Sequence, residues 1–187
     1  MTLNPNNIFA ENEERQLLAL FELIGKKRTI EAADIIVLEG QKVDFFWIVL
    51  SGCFRAFRWF QNEEVTVGFS FKGDFDTSPF AYIHGTPTKE CIEALQDSEI
   101  LVVRKNEFEK YFLRNPIVST LTEKLLSNYI EILTYRSIES KILTAEQRYL
   151  KLLQRQPKEA SLIPLKYMAS YLGISKERLS RIRKKIS

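Results

Sequence analysis

Cysteine and histidine are scarce in this chain. Of 187 residues, two are cysteine (Cys53 and Cys91) and one is histidine (His84). Two cysteines make no disulfide framework, and one histidine does not complete a zinc or iron–sulfur ligand cluster with them. A lone histidine also lacks the partners of a hydrolytic triad. No apolar run approaches the roughly 20 residues needed to span a bilayer. The opening Met1-Thr2-Leu3-Asn4-Pro5 has no basic stretch leading into an apolar one, so no secretory signal is legible. The expectation is a cytoplasmic, non-enzymatic protein with no metal and no membrane contact. His84 reads as a loop residue, and the cysteines read as small core residues.

What is present is ordinary in bulk and uneven in distribution. Apolar residues make up 45% and charged residues 27%, as in a soluble globular protein. The formal charge of +3 conceals an asymmetry: from Lys141 onward there are 12 basic and 3 acidic residues, a net +9, against −6 for the remainder. A basic tail on an acidic body points to a polyanion partner for the tail alone.

Within that tail, Leu165 to Lys185 reads as a helix-turn-helix. Met168, Leu172, Ile174, Leu179 and Ile182 have the spacing of two short helices sharing one small core, and Ala169 sits where they cross. Gly173 supplies the positive φ of the turn, Ser175 caps the second helix and Glu177 lies in its first turn. Ser175, Lys176, Glu177, Ser180, Arg181 and Lys184 fall away from the apolar seam and are the candidate DNA-contacting residues. Arg181 can donate two hydrogen bonds to guanine, Glu177 can accept from cytosine N4, and Lys176 can reach guanine or phosphate. Ser175 and the helix N-terminus suit a backbone phosphate.

Upstream, Glu13 to Ile24 has helical spacing, and the Lys26-Lys27-Arg28 run suits its C-terminus. Short apolar runs then alternate with turn signals: residues 35–38, 45–50, 53–60, 65–71, 91–95 and 99–103, with turns at Ser51-Gly52 and Gln61-Asn62. These runs indicate a sandwich or barrel-like roll. Trp47, Phe57, Trp59, Phe60 and Phe71 are expected in its core. A helical turn is expected between Asp76 and Ile83, a loop at His84 to Pro87, and a helix over residues 105–113. Asn115-Pro116 starts a long helix to about Arg136. Val118, Leu121, Leu125 and Ile132 form a stripe along it, with Asn128 beside them as a register-fixing polar residue; these are the candidate dimer seam. Packing of the same stripe on the roll is the alternative. Residues 137–144 read as a hinge or helix break. Thr144 to Gln147 opens a further helix with capping-box spacing, followed by a loop from Pro157 to Ile163.

The N-terminal helix, a roll containing Gly40, Ser51-Gly52 and Gly73-Asp74, the long helix and the segment Gly173 to Ile182 together resemble the cyclic-AMP receptor protein/FNR (Crp/Fnr) family of bacterial transcription regulators. The likeness covers nearly the whole chain and is nearest to the short members associated with the Bacteroidetes. It implies an α+β fold: an N-terminal double-stranded β-helix (jelly-roll-like, cyclic nucleotide-binding-type) domain over 1–115, a dimerisation helix over 116–138 and a helix-turn-helix domain over 139–187. It implies a homodimer that reads a pseudo-palindrome, with double-stranded DNA as partner, RNA polymerase as a further candidate, and base contacts at Lys176, Glu177 and Arg181.

The resemblance also implies a cyclic nucleotide site, for which Gly73, Asp74, Thr88 and Lys89 are the effector-pocket candidates. Two departures stand out. Gly73-Asp74 offers a shorter acid where the family has Gly-Glu, and the segment Thr86 to Glu90 has no arginine where the family has Arg-Ser. Lys89 supplies a point charge but no bidentate fork, and Glu90 and Glu93 add negative charge. The nucleotide pocket therefore reads as degenerate. The chain also stops at Ser187, where the family's β-wing would follow, so a wingless reader is expected. A small-molecule sensor that signals through protein contacts is the alternative function.

Overall fold

The computed structural model describes residues 11–186. Residues 1–10, which include the opening pentapeptide considered above, and Ser187 lie outside the described residues. The side chains of residues 11–14 and of Leu17, Ile117, Leu121, Leu125, Asn128 and Arg155 are likewise outside the described set.

Strands dominate the first half because β-branched and aromatic residues occur in short runs closed by turn formers. The roll is built from β1 (Lys26–Ile30), β2 (Ile35–Val37), β3 (Phe45–Ser51), β4 (Cys53–Phe60), β5 (Glu63–Phe71), β6 (Phe75–Asp76), β7 (Cys91–Ala94) and β8 (Ser98–Arg104). They form two four-stranded antiparallel sheets, ordered β1-β8-β3-β6 and β2-β7-β4-β5. The β4–β5 hairpin turns through Gln61 and Asn62, both at positive φ, the geometry that matches strand twist in a two-residue hairpin loop. Gly52, at φ 95°, links β3 to β4 with no room to spare: a Cβ there would lie 1.9 Å from Ser98 Oγ.

Each sheet is covered on both faces, so the central strands of the first, β3 and β8, read as nearly continuous apolar runs, whereas β4 of the second also carries Arg55 and Arg58. Between the sheets, Trp47, Val49, Phe54, Ile92 and Ile100 make the inner core. Behind the first sheet, α1 (Glu11–Ile24), α3 (Lys105–Phe112) and α4 (Pro116–Ile142) supply Phe21, Phe108 and Val118 against Ile48, Leu101 and Val103. Behind the second sheet sit the C-terminal helices. There Cys53, Phe69 and Phe71 of the roll share one core with Met168, Ala169, Leu172, Leu179 and Ile182.

Several sequence expectations are corrected. Lys26-Lys27-Arg28 is not a helix C-terminus but the start of edge strand β1, paired with β8. Only Ile30 of this strand is buried, so no alternation announced it, and its lysines suit an exposed edge. The hinge or helix break expected over residues 137–144 is a break confined to Leu143 and Thr144: α4 continues to Ile142, and α5 (Ala145–Arg155) follows. The expected loop after Pro157 contains a short helix, α6 (Pro157–Leu162), with proline at its first turn. His84 is the exposed last residue of α2 (Pro79–His84), its ring 4.5 Å from that of Phe80 at a tilt of 43°, not a loop residue. Trp59 and Phe60 are 52% and 66% exposed, because the hairpin tip extends beyond the packed part of the sheet. The capping box at Thr144 and Gln147 forms as expected.

Candidate nucleic-acid interface and effector pocket

The basic end of the chain folds as α7 (Leu165–Leu172) and α8 (Lys176–Ile186). Met168, Ala169, Leu172, Leu179 and Ile182 are buried between them and α5, and Ala169, 2% exposed, keeps the backbones close. Gly173 has φ 66° and ψ 38°, and Ile174 N–H donates to Ala169 O across the turn, satisfying an end carbonyl of α7. Ser175 Oγ accepts from Arg178 N–H at 3.2 Å, the expected cap of α8.

Of the candidate contact residues, Ser175, Lys176, Glu177, Arg181 and Lys184 are exposed and Ser180 is half-buried. Among the described residues no ion pair holds Lys176, Arg181 or Lys184. Glu177 is held below the usual carboxylate range, first by its own backbone N–H, then by the Ser175 hydroxyl and the nearby Lys176 and Arg181 charges. It therefore enters any contact as an anion and also helps to close the start of α8. The other basic residues divide by role. Arg183 donates to Tyr149 Oη (3.1 Å) and Ile163 O (3.1 Å), so it braces α8 against α5. Lys185 pairs with Glu146 at 2.8 Å. Arg178 is exposed and, with Arg181, Lys185 and Glu146, lines a shallow groove beside α8. Sequence reasoning passed over Arg178, although its spacing of three from Arg181 carried the signal.

In the roll, a cavity of about 640 Å³ opens beside α2, lined by Gly40, Arg58, Phe80, Ala81, Thr88 and Lys89 among others. Thr88 and Lys89 thus lie at the cavity, whereas Gly73 and Asp74 are not among its lining residues. Asp74, in the turn between β5 and β6, directs its carboxylate back to the end of β5, accepting from Phe71 N–H at 3.0 Å. Thr88 is buried; its hydroxyl donates to Ser78 Oγ (2.8 Å) and accepts from Glu90 N–H (3.0 Å). Arg58, from β4, reaches the rim and is already paired with Glu90 through Nε and Nη2. It brings an arginine to the cavity from 32 residues upstream of Glu90, where no local motif marks it. Glu93 does not join this rim; it pairs with Arg55 on the outer side of the sheet.

The Asp76 carboxyl is pushed up to about 7 chiefly by burial, with Asp74 and Glu90 adding to the rise against the Ser70 hydroxyl and Thr77 N–H. Raised above its unfolded value, it binds a proton in the folded state that the unfolded chain has released. Stability should therefore fall as pH rises from about 4 to about 7, by at most ~1.4 kcal/mol per pH unit from this group. Asp76→Asn should remove that slope, gaining on the wild type at pH 8 and matching it near pH 4, as read by urea unfolding at several pH values. Parallel pH profiles for the two proteins would refute the assignment. Cys53, 2% exposed, has its thiol pushed up to about 12 by burial and is inert packing.

The candidate dimer stripe divides. Val118 is 5% exposed and belongs to the core behind the first sheet, so it is not available to a partner: the roll occupies it. Ile132 is half-buried, and Arg136, four residues on, approaches β5, its Nη1 3.6 Å from where a Cβ on Gly68 would stand. The side chains of Leu121, Leu125 and Asn128 lie outside the described residues. The face turned outward instead carries Leu126, Ile130 and Leu133, at 47%, 63% and 44% exposure.

Among the described residues, no helix is long and apolar enough to cross a membrane and no group of three or more His, Cys, Asp or Glu could hold a metal. The family model of the cyclic nucleotide-binding domain matches residues 27–115. No curated protein sequence matches the chain. Among solved structures, FixK2 from Bradyrhizobium japonicum superposes with a TM-score of 0.72 at 17% identity, covering 87% of this chain and 84% of that one. The c-di-GMP responsive global regulator CLP from Xanthomonas campestris gives 0.68 at 15% identity, covering 92% and 91%. A candidate transcriptional regulator of the crp/fnr family from Eubacterium rectale gives 0.66 at 15% identity, covering 98% and 86%. Residues 27–115 thus match the model of the cyclic nucleotide-binding domain, and the chain shares the fold of these solved structures.

Proposed function

We propose that this protein is a homodimeric, sequence-specific DNA-binding transcription regulator, with α7 and α8 as its helix-turn-helix and α8 as the helix that enters the major groove. One observation carries the reading: the face of α8 bearing Lys176, Glu177, Arg181 and Lys184 is exposed, with its apolar side turned into the core. A surface this basic on an otherwise acidic chain suits phosphate, and an anion held ready at Glu177 is unfavourable there unless it meets a base. The dimer forms along the outward face of α4, and two readers about one DNA turn apart, roughly 34 Å, bind a pseudo-palindrome.

The roll serves as sensor or contact domain. Its cavity does not fit a cyclic phosphodiester: Lys89 offers a point charge, Arg58 is engaged by Glu90, and Asp74 accepts from the end of β5 away from the cavity lining. The protein has no catalytic role in this reading.

Arg181→Ala should cost about 1–3 kcal/mol at one base pair of the selected site and relax selectivity there. Selection of bound duplexes from a random pool, followed by titration of single-base variants, measures this. Unchanged selectivity at every position would remove Arg181 from the groove. No duplex binding even at low salt would shift the chain to signalling through protein contacts.

A further inference from the structure

The outer face of the β2-β7-β4-β5 sheet holds a buried cation whose partners come from two parts of the molecule. Arg55 of β4 is 1% exposed. Its Nε donates to Thr66 Oγ1 (2.9 Å), Nη1 to Glu93 Oε1 (2.7 Å) and Nη2 to Glu64 Oε2 (2.7 Å). All three acceptors belong to the roll. The flat faces of the guanidinium are used differently. The ring of Phe57, from the same strand, lies 4.2 Å from Cζ, and the ring of Tyr167, from α7, lies 3.8 Å from it.

A second contact converges on the same residues. Ser170 of α7 accepts from Thr66 N–H (3.0 Å) and donates to Glu64 O (3.3 Å). β5 is the last strand of its sheet, so this hydroxyl occupies the edge where a further strand would pair. Glu64 and Thr66 therefore hold Arg55 with their side chains and α7 with their backbones. Tyr171 adds a ring contact to Phe69 at 5.2 Å. Apolar burial alone would let α7 slide over the sheet. A stacked guanidinium and a two-way hydroxyl bridge fix both its position and its direction.

We infer that Arg55 is a positioning residue for the DNA reader: stacked on Tyr167, it sets the direction of α7 and so the separation and tilt of the two recognition helices in the dimer. The inference rests on the dimeric DNA-reading function proposed above. Moving the half-sites of a pseudo-palindrome by one base pair changes both their separation and their relative rotation, and a reader held rigidly to its roll does not follow.

Tyr167→Ala removes the ring and leaves every hydrogen bond of Arg55 in place, so the roll keeps its fold; Tyr167→Phe keeps the ring. The wild type first selects its preferred duplex, and all three proteins are then titrated against versions with the half-sites one or two base pairs closer or further apart. The wild type and Tyr167→Phe should lose about tenfold or more in affinity per displaced base pair, and Tyr167→Ala about threefold or less, since the lost stack was worth on the order of tenfold or more in holding one orientation. Equal spacing penalties in all three overturn the inference.

Hydrogen exchange of the same proteins without DNA separates this from failure of the DNA-reading function. Amides of α7 and α8 should exchange about tenfold faster in Tyr167→Ala, with β1 and β8 unchanged. Unchanged exchange in α7 and α8 overturns the positioning role even if no duplex is bound.

Discussion

Ile130→Glu should convert the protein from dimer to monomer without unfolding it. The helix α4 has 27 residues, about 40 Å at ~1.5 Å per residue, and one side of it already packs on the roll through Val118. On the other side Leu126, Ile130 and Leu133 follow the i, i+4, i+7 spacing of an interface seam, and Ile130 is 63% exposed. Exposure means that glutamate there disturbs little within one subunit. Across a two-fold axis it would place two carboxylates in contact and remove two buried isoleucines. Sedimentation at micromolar concentration should show a monomer. Affinity for the full pseudo-palindrome should fall by about 10²-fold or more, because the second half-site no longer binds as part of the same molecule. Val118→Glu is the contrast: it should unfold the roll, since that side chain lies in its core. A dimer that survives Ile130→Glu at the wild-type concentration would place the seam elsewhere.

Arg55→Ala should be the most destabilising single change of charge, at about 3–5 kcal/mol by urea unfolding. The loss is not the value of three hydrogen bonds. It arises because the Glu93 side chain, 15% exposed, and the Glu64 side chain, 38% exposed, are left facing each other without their shared cation. Adding Glu93→Gln to Arg55→Ala should recover part of the loss, which a pure packing defect would not allow. Arg104→Ala sets the scale for a surface pair. Arg104 and Asp44 are both 66% exposed at 3.4 Å, and removing that pair should cost under about 1 kcal/mol. Similar losses at Arg55 and Arg104 would mean that the buried cluster is screened as if it were on the surface.

The parts of the fold legible in the sequence were those written locally. Gly173, Ser175 and the apolar spacing from Met168 to Ile182 lie within 15 residues, and every short-range requirement of the turn and cap is met by a neighbour in sequence. β3 was legible because a strand buried on both faces is apolar almost throughout, and β4 because its residues alternate between turn signals. β1 was not, since four of its five residues are exposed. The stripe on α4 leaves a second copy and the roll open as neighbours, and at Val118 it is the roll that buries it. Periodicity identifies a buried face without saying whether the chain's own roll or a second copy buries it. The cavity and the Arg55 cluster were hidden for a different reason. Each is assembled from segments tens of residues apart, and an arginine in an alternating strand looks like any solvent-facing residue until Tyr167 is seen above it.

The edge bridge at Ser170 has a consequence for how this molecule fails. With α7 in place, the outer strand of the second sheet is roofed by a helix that cannot extend a ladder. Should the C-terminal helices lift away on heating, that strand would present its unsatisfied amides alongside Phe69 and Phe71, with Val65 and Val67 already facing water. Detachment and self-association would then be one event, so the protein should turn cloudy at the temperature where its helices come off rather than where its strands melt.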